Sequence, residues 1–261
     1  MSIISVLSAA GQFFLTPLGI ISVAVAGVLI IFVLLVSYFI DTISQAIKEN
    51  QAKTLLLTSS GMQMKDKIIK LLQKPAYDIS LAFIATAAKP EQDLSYVQAD
   101  LDIMKEIGFN VEEVDIENKT EDQVYKLLEF KDMIYVEGGN TFYLLNAMRK
   151  CNFEKTIRKL LKLGKVYVGA SAGSVVAGKT IQTSDWKEQE NRFGLKNLKG
   201  LNLVPFDIFV HYQPEHAEII KQKMPNAKKR AKNLKILTDQ QAILVQGKEV
   251  SLIGQGEQII V

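Results

Sequence analysis

Cysteine occurs once among the 261 residues, at position 151. A lone thiol excludes an intrachain disulfide framework and any metal site built from several cysteines, and it suits a reducing compartment. Histidine occurs only as His211 and His216, so imidazole chemistry has two addresses. Charge imbalance is nearly absent. The 31 Lys and Arg against 28 Asp and Glu leave a net charge of +3, which is no nucleic-acid footprint. Repeats and low-complexity tracts are missing as well. With 48% hydrophobic and 23% charged residues, the chain can build a large core and is not a disordered polymer.

The sharpest absence is local. Residues 1–40 contain no Asp, Glu, Lys or Arg, and Leu18–Ile40 is interrupted only by glycine and serine. About 20 apolar residues suffice to cross a bilayer core as a helix. A cleavable signal peptide would start with basic side chains and carry a shorter apolar stretch. The expectation is an uncleaved single-pass anchor, with the lipid bilayer as the partner of residues 18–40. Residues 41–52 then form a juxtamembrane linker and 53–261 the folded domain. Lys48, Lys53, Lys65, Lys67 and Lys70 all follow the span, and the positive-inside rule places that domain in the cytoplasm.

What is present from residue 53 onward is an alternation of short apolar runs and helical patterns. Lys53–Thr58, Ile79–Ala85, Val111–Ile116, Met133–Val136 and Val166–Gly169 read as strands. Residues 65–72, 94–107, 121–128, 141–150 and 153–163 read as helices, with Gly108 and Gly164 as stops. Such alternation implies a three-layer α/β/α domain whose mostly parallel sheet is covered on both faces. Ala242–Gln246, Val250–Ile253 and Gln258–Val261, separated by glycines, read as an antiparallel meander at a sheet edge.

Gly169-Ala170-Ser171-Ala172-Gly173 matches G-x-S-x-G where a buried strand turns into a helix. A serine on such a turn is held in a strained conformation with its Oγ exposed, and the following N–H can stabilise an oxyanion. The plain alternative is a glycine-rich turn that packs a helix onto a sheet. Ser171 is the candidate nucleophile, and it needs a base. His211 ends the apolar run Val204–Val210, at the edge where open α/β sheets carry their sites. His216 follows Pro214 in a helix-like segment and reads as a solvated side chain. The two histidines miss the short H-x-x-E-H zinc spacing by one residue, so no metal and no cofactor are expected.

For the group that orients the imidazole, Asp185, Glu188 and Glu215 stay open, whereas Asp207 shares a strand face with His211 but four strand residues span about 13 Å, too far for a direct hydrogen bond. Glu137-Gly138-Gly139-Asn140-Thr141 lies between a strand and a helix. Its Gly139 N–H is a candidate oxyanion donor alongside Ala172 N–H, although a plain strand–helix turn reads the same way.

Four segments together resemble the peptidase E and cyanophycinase family of serine peptidases. They are VEGGNTFYLL at 136–145, VGASAGS at 168–174, TIQTSD at 180–185 and LNLVPFDIFVH at 201–211. The resemblance covers roughly residues 53–261. It implies a class I glutamine amidotransferase-like sheet with serine in place of cysteine. It matches Ser171 to the nucleophile, His211 to the base, Asp185 to the acidic position and Gly138-Gly139 to the oxyanion region. Peptidase E carries a third glycine where this chain has Glu137, and the segment around Asp185 is one residue shorter here. The implied activity is hydrolysis of small peptides, with an acidic N-terminal residue as the family precedent and pairing into homodimers common. The rivals are a membrane-tethered, non-catalytic binding module on the same scaffold, and a serine esterase or amidase.

Overall fold

A computed structural model of the chain describes residues 29–42 and 53–261. The described residues fall into two compact units, one within Met1–Glu49 and one within Asn50–Val261. In the first, residues 29–42 form helix α1, whose side chains are exposed throughout. Among the described residues no helix is long and apolar enough to cross a membrane. The expected span over 18–40 therefore finds no support. Its first part, 18–28, and linker residues 43–52 lie outside the described residues.

The second unit is built on a seven-stranded sheet in the order β3-β2-β4-β5-β1-β8-β9. The strands are β1 (Thr54–Thr58), β2 (Ser80–Ile84), β3 (Asn110–Glu113), β4 (Met133–Val136), β5 (Val166–Ala170), β8 (Gln241–Gln246) and β9 (Glu249–Gly254). The first five are mutually parallel, whereas β8 and β9 run antiparallel at one side. This is the expected mostly parallel sheet with a terminal meander, except that residues 258–261 form no strand. A separate parallel pair joins β6 (Asp207–Phe209) to β7 (Leu234–Ile236).

Parallel strands need covering on both faces, and the side-chain alternation supplies it. Leu55, Leu57, Ala82, Ile84, Ile134, Val136 and Tyr167 enter one core. Their neighbours Leu56, Leu81, Phe83, Met133, Tyr135, Val168 and Ala170 enter the other. Each such large apolar side chain stabilises the fold by roughly 1.5–3 kcal/mol relative to exposure. The covering helices are α2 (Lys65–Lys70), α3 (Ser95–Ile107), α4 (Glu121–Leu128), α5 (Thr141–Lys150) and α6 (Phe153–Lys162). Helix α3 stops at Gly108, whose φ of 93° gives the left-handed cap. Thr120 and Gln123 form a reciprocal capping box at the start of α4.

The topology decides where a site can form. Thr58, Val136 and Ala170 end β1, β4 and β5 at one edge of the sheet, since Thr58 pairs with Ala170 and Val136 with Gly169. Because β8 is antiparallel, its first residues lie at that same edge, with Ala242 opposite Thr58. The loops after β1, β4 and β5 and the loop before β8 therefore converge.

Candidate active site

Ser171 sits between β5 and the short helix α7 (Ala172–Ala177), with φ 46° and ψ −108°. A positive φ is costly for a residue with a Cβ, and persists only where the surroundings fix it. Several contacts do so. Ser171 N–H donates to Thr58 O at 3.1 Å, extending the β1–β5 ladder by one residue. Ser174 Oγ lies 2.7 Å from Thr58 O and 2.8 Å from Gly169 O, and Tyr167 Oη donates to Gly173 O at 2.6 Å. Gly173 lies against β4 so closely that a Cβ there would stand 2.0 Å from Val136 O. The glycine after Ser171 is thus a packing requirement that sets α7 onto the sheet.

His211 follows β6, itself outside the main sheet, and also has a positive φ, 53°. Its Nε2 lies 2.8 Å from Ser171 Oγ, and its Nδ1 lies 2.5 Å from Asp239 Oδ1. The buried Ser59, after β1, locks this pair. Its Oγ accepts His211 N–H at 2.8 Å and donates to Asp239 Oδ1 at 3.0 Å. Burial opposes ionisation of Asp239. Hydrogen bonds from Ser60, His211 and Ser59, with attraction to His211, outweigh it and hold the carboxyl below its ordinary range.

The structure therefore brings Ser171 and His211 together as expected and replaces the expected acid. Asp185 is exposed on helix α8 (Gln182–Trp186), and its carboxylate makes no hydrogen bond to His211. Its segment is held elsewhere: Asp207 accepts from Thr180 and Gln182, and Thr183 Oγ1 donates to Ile208 O. Asp207 is thus occupied as a structural acceptor, while Glu188 and Glu215 are exposed. Asp239 and Ser59 were not among the sequence candidates. Asp239 stands just before the first strand of the antiparallel meander, and an antiparallel neighbour of β1 must begin at the edge where β1 ends. That was the signal available. His216 is placed away from this relay, its Nδ1 accepting Gln213 N–H at 2.9 Å and its ring against Phe209.

The loop after β4 closes the site. Gly138 touches Ser171, since a Cβ at position 138 would lie 3.2 Å from Ser171 Cβ. Gly139 has φ 126° and packs on Ala87, whose carbonyl oxygen would stand 2.3 Å from a Cβ there. Gly138 N–H is taken by Glu137 Oε1 at 2.6 Å, whereas Gly139 and Ala172 N–H make no hydrogen bond to another described residue. Two recesses share Ser171. One, about 600 Å³, is lined among others by Asp100, Glu137, Gly138 and His211. The other, about 230 Å³, is lined by Thr141, Thr183, Ser184 and Lys187. Burial lowers the Lys187 ammonium below its ordinary range. A further cavity, about 840 Å³, lies at the opposite end of the strands, around Thr54, Met133 and Val166. Among the described residues no cluster of three or more His, Cys, Asp or Glu could hold a metal ion.

Residues 55–253 match the model of "Peptidase family S51". An uncharacterized peptidase of Listeria monocytogenes is 33% identical over 204 residues, which span 76% of this chain and 97% of that protein. A peptidase E of a Nostoc species is 31% identical over 167 residues, 62% of this chain and 66% of its own length. A crystal structure from Listeria monocytogenes EGD-e, described as a candidate peptidase E protein, superposes with a TM-score of 0.68 at 30% identity. That match covers 78% of this chain and 99% of that one. The α/β fold, the match to the family model along most of the second unit and the near-complete coverage of a relative above 30% identity agree: this chain belongs to peptidase family S51.

Proposed function

We propose that the chain is a serine peptidase of small peptides that works by acyl transfer. Ser171 Oγ attacks the scissile carbonyl while His211 Nε2 takes its proton. His211 then passes the proton to the leaving amine, and water releases the acyl group by the same route in reverse. Asp239 orients the imidazole and stabilises it once it is charged. Gly139 and Ala172 N–H are the donors for the developing oxyanion. The observation that carries this reading is the continuous Ser171–His211–Asp239 relay, with contacts of 2.8 and 2.5 Å. A glycine-rich turn that merely packed a helix would need no imidazole aimed at its serine.

The smaller recess supports a preference for an acidic residue on the acyl side. Lys187 and the hydroxyls of Thr141, Thr183 and Ser184 line it beside Ser171, which suits a carboxylate. The test is a dipeptide library offered to the full chain, the Ser171→Ala variant and the Lys187→Met variant. Hydrolysis should vanish in Ser171→Ala, while Lys187→Met should lose the advantage of aspartyl and glutamyl dipeptides over neutral ones. An undiminished rate in Ser171→Ala would remove the serine from the mechanism. Labelling of Ser171 by a fluorophosphonate without any peptide cleavage would point to an esterase or amidase instead.

A further inference from the structure

Glu137 stands where the peptidase E pattern has glycine, and the proposed chemistry gives it no task. It is 3% exposed, and its Oε1 accepts Gly138 N–H at 2.6 Å. Its Oε2 is buried without a hydrogen-bond donor, and Glu137 is among the residues that line the larger recess with Ser171. Asp100 is its neighbour in that wall, with Oδ2 accepting Tyr135 Oη at 2.6 Å and Met62 N–H at 3.1 Å. The buried Tyr96 Oη in the same wall also lacks a partner. Glu91 adds a further carboxylate, and among the described residues no Lys or Arg lines this recess.

We propose that Glu137 and Asp100 form a subsite for a cationic nitrogen of the substrate, on the acyl side of the scissile bond. The inference rests on the serine-peptidase reading. Leaving a buried carboxylate oxygen without a donor is costly, so the site is complete only when a ligand brings one. Gly138, which touches Ser171, is the next residue, and Glu137, Asp100 and Ser171 line the same recess. Burial, and then the neighbouring Asp100, push the Glu137 carboxyl well above its ordinary range. Burial also raises Asp100, against the hydrogen bonds from Tyr135 and Met62. An arriving ammonium supplies N–H donors to the carboxyl oxygens of the pair. A carboxylate or apolar group in the same position would leave the acids unsatisfied. The α-ammonium of an N-terminal residue and a lysine-type side chain share this chemistry.

The experiment measures inactivation of the full chain by diphenyl phosphonates and locates each adduct by mass spectrometry. One arm compares the alanine phosphonate bearing a free amine with its N-acetyl form. The other compares the N-acetyl-lysine phosphonate with its N-acetyl-norleucine counterpart. Every rate is divided by that of a neutral fluorophosphonate. The cationic probe should win at least one arm by about tenfold or more, as a charge-assisted hydrogen bond in a water-poor site implies. That advantage should fall to within about twofold in Glu137→Gln. Asp100→Asn serves as the second variant should Glu137→Gln fail to fold. A win in the first arm assigns the subsite to the α-ammonium, and a win in the second to a basic side chain. Equal rates in both arms, or a preference that survives both substitutions, would overturn the subsite. A neutral fluorophosphonate that leaves Ser171 unlabelled would instead overturn the serine-peptidase reading beneath it.

Discussion

Replacing Asp239 by asparagine changes one atom of the relay and separates two roles of the carboxylate. Its Oδ1 faces His211 Nδ1 at 2.5 Å and Ser59 Oγ at 3.0 Å. If it acted only as a nearby negative charge, the loss would be small. The His211 and Asp239 side chains are 36% and 42% exposed, so solvent screens their attraction, and about fivefold in rate is the most such a pair supplies. Orientation is worth more. An asparagine that turns its amide nitrogen toward Nδ1 makes that nitrogen the acceptor and places the ring proton on Nε2, where it can no longer take the Ser171 proton. In a serine–histidine–aspartate relay this error costs about 10⁴ in kcat, or about 5.5 kcal/mol at 1.36 kcal/mol per decade. The expected result for Asp239→Asn is therefore a fall of roughly three to four decades in kcat on the best dipeptide, with KM little changed. Asp185→Asn, altering an exposed side chain, should stay within about twofold of the parent. An Asp239→Asn enzyme that keeps more than a tenth of the parent rate, or an Asp185→Asn enzyme that falls as far, would refute the assignment.

Ser59→Ala removes the acceptor of His211 N–H and a donor to Asp239. It should slow turnover about tenfold and lower stability by about 1–2 kcal/mol, read by steady-state kinetics and denaturant unfolding. Tyr167→Phe removes the Tyr167 Oη hydrogen bond to the buried Gly173 carbonyl beneath the Ser171 turn, for a loss of about 0.5–1.5 kcal/mol in the same unfolding experiment. The acid pair gives a pH signature. Carboxyls whose folded pKa is raised hold protons that the unfolded chain has already released, so stability falls as pH rises from the ordinary carboxylate range toward the raised values. The melting temperature of Glu137→Gln should therefore gain on that of the parent across that window. Parallel profiles would contradict the buried pair.

The strands of the parallel sheet were legible because each is a short apolar run between turn residues, and burial on both faces demands that pattern. Ser171 was legible because the glycine at 173 answers to a backbone contact with Val136 that only a residue without Cβ can make. His211 was found through scarcity of histidine, although β6 turned out to pair outside the main sheet. Asp239 was not found because no local pattern marks it. It reaches His211 through the antiparallel β1–β8 pairing, whereas Asp185 offered an acid at a plausible distance along the chain that the fold spends on the surface. Glu137 likewise carries no sign in the sequence beyond its place in a strand–helix turn, and it is the fold that buries it. The apolar N-terminal run specified a span by composition alone; residues 18–28 of it lie outside the described residues, among which no helix is long and apolar enough to cross a membrane.

The central claim is that Ser171 is made nucleophilic by His211. The most direct measurement is the intact mass of the full chain after treatment with a neutral fluorophosphonate, followed by peptide mapping. The account predicts a single adduct on Ser171, formed at a rate that drops by at least about a thousandfold in His211→Ala. An unmodified chain, or an adduct on Ser171 that forms equally fast without His211, would contradict it.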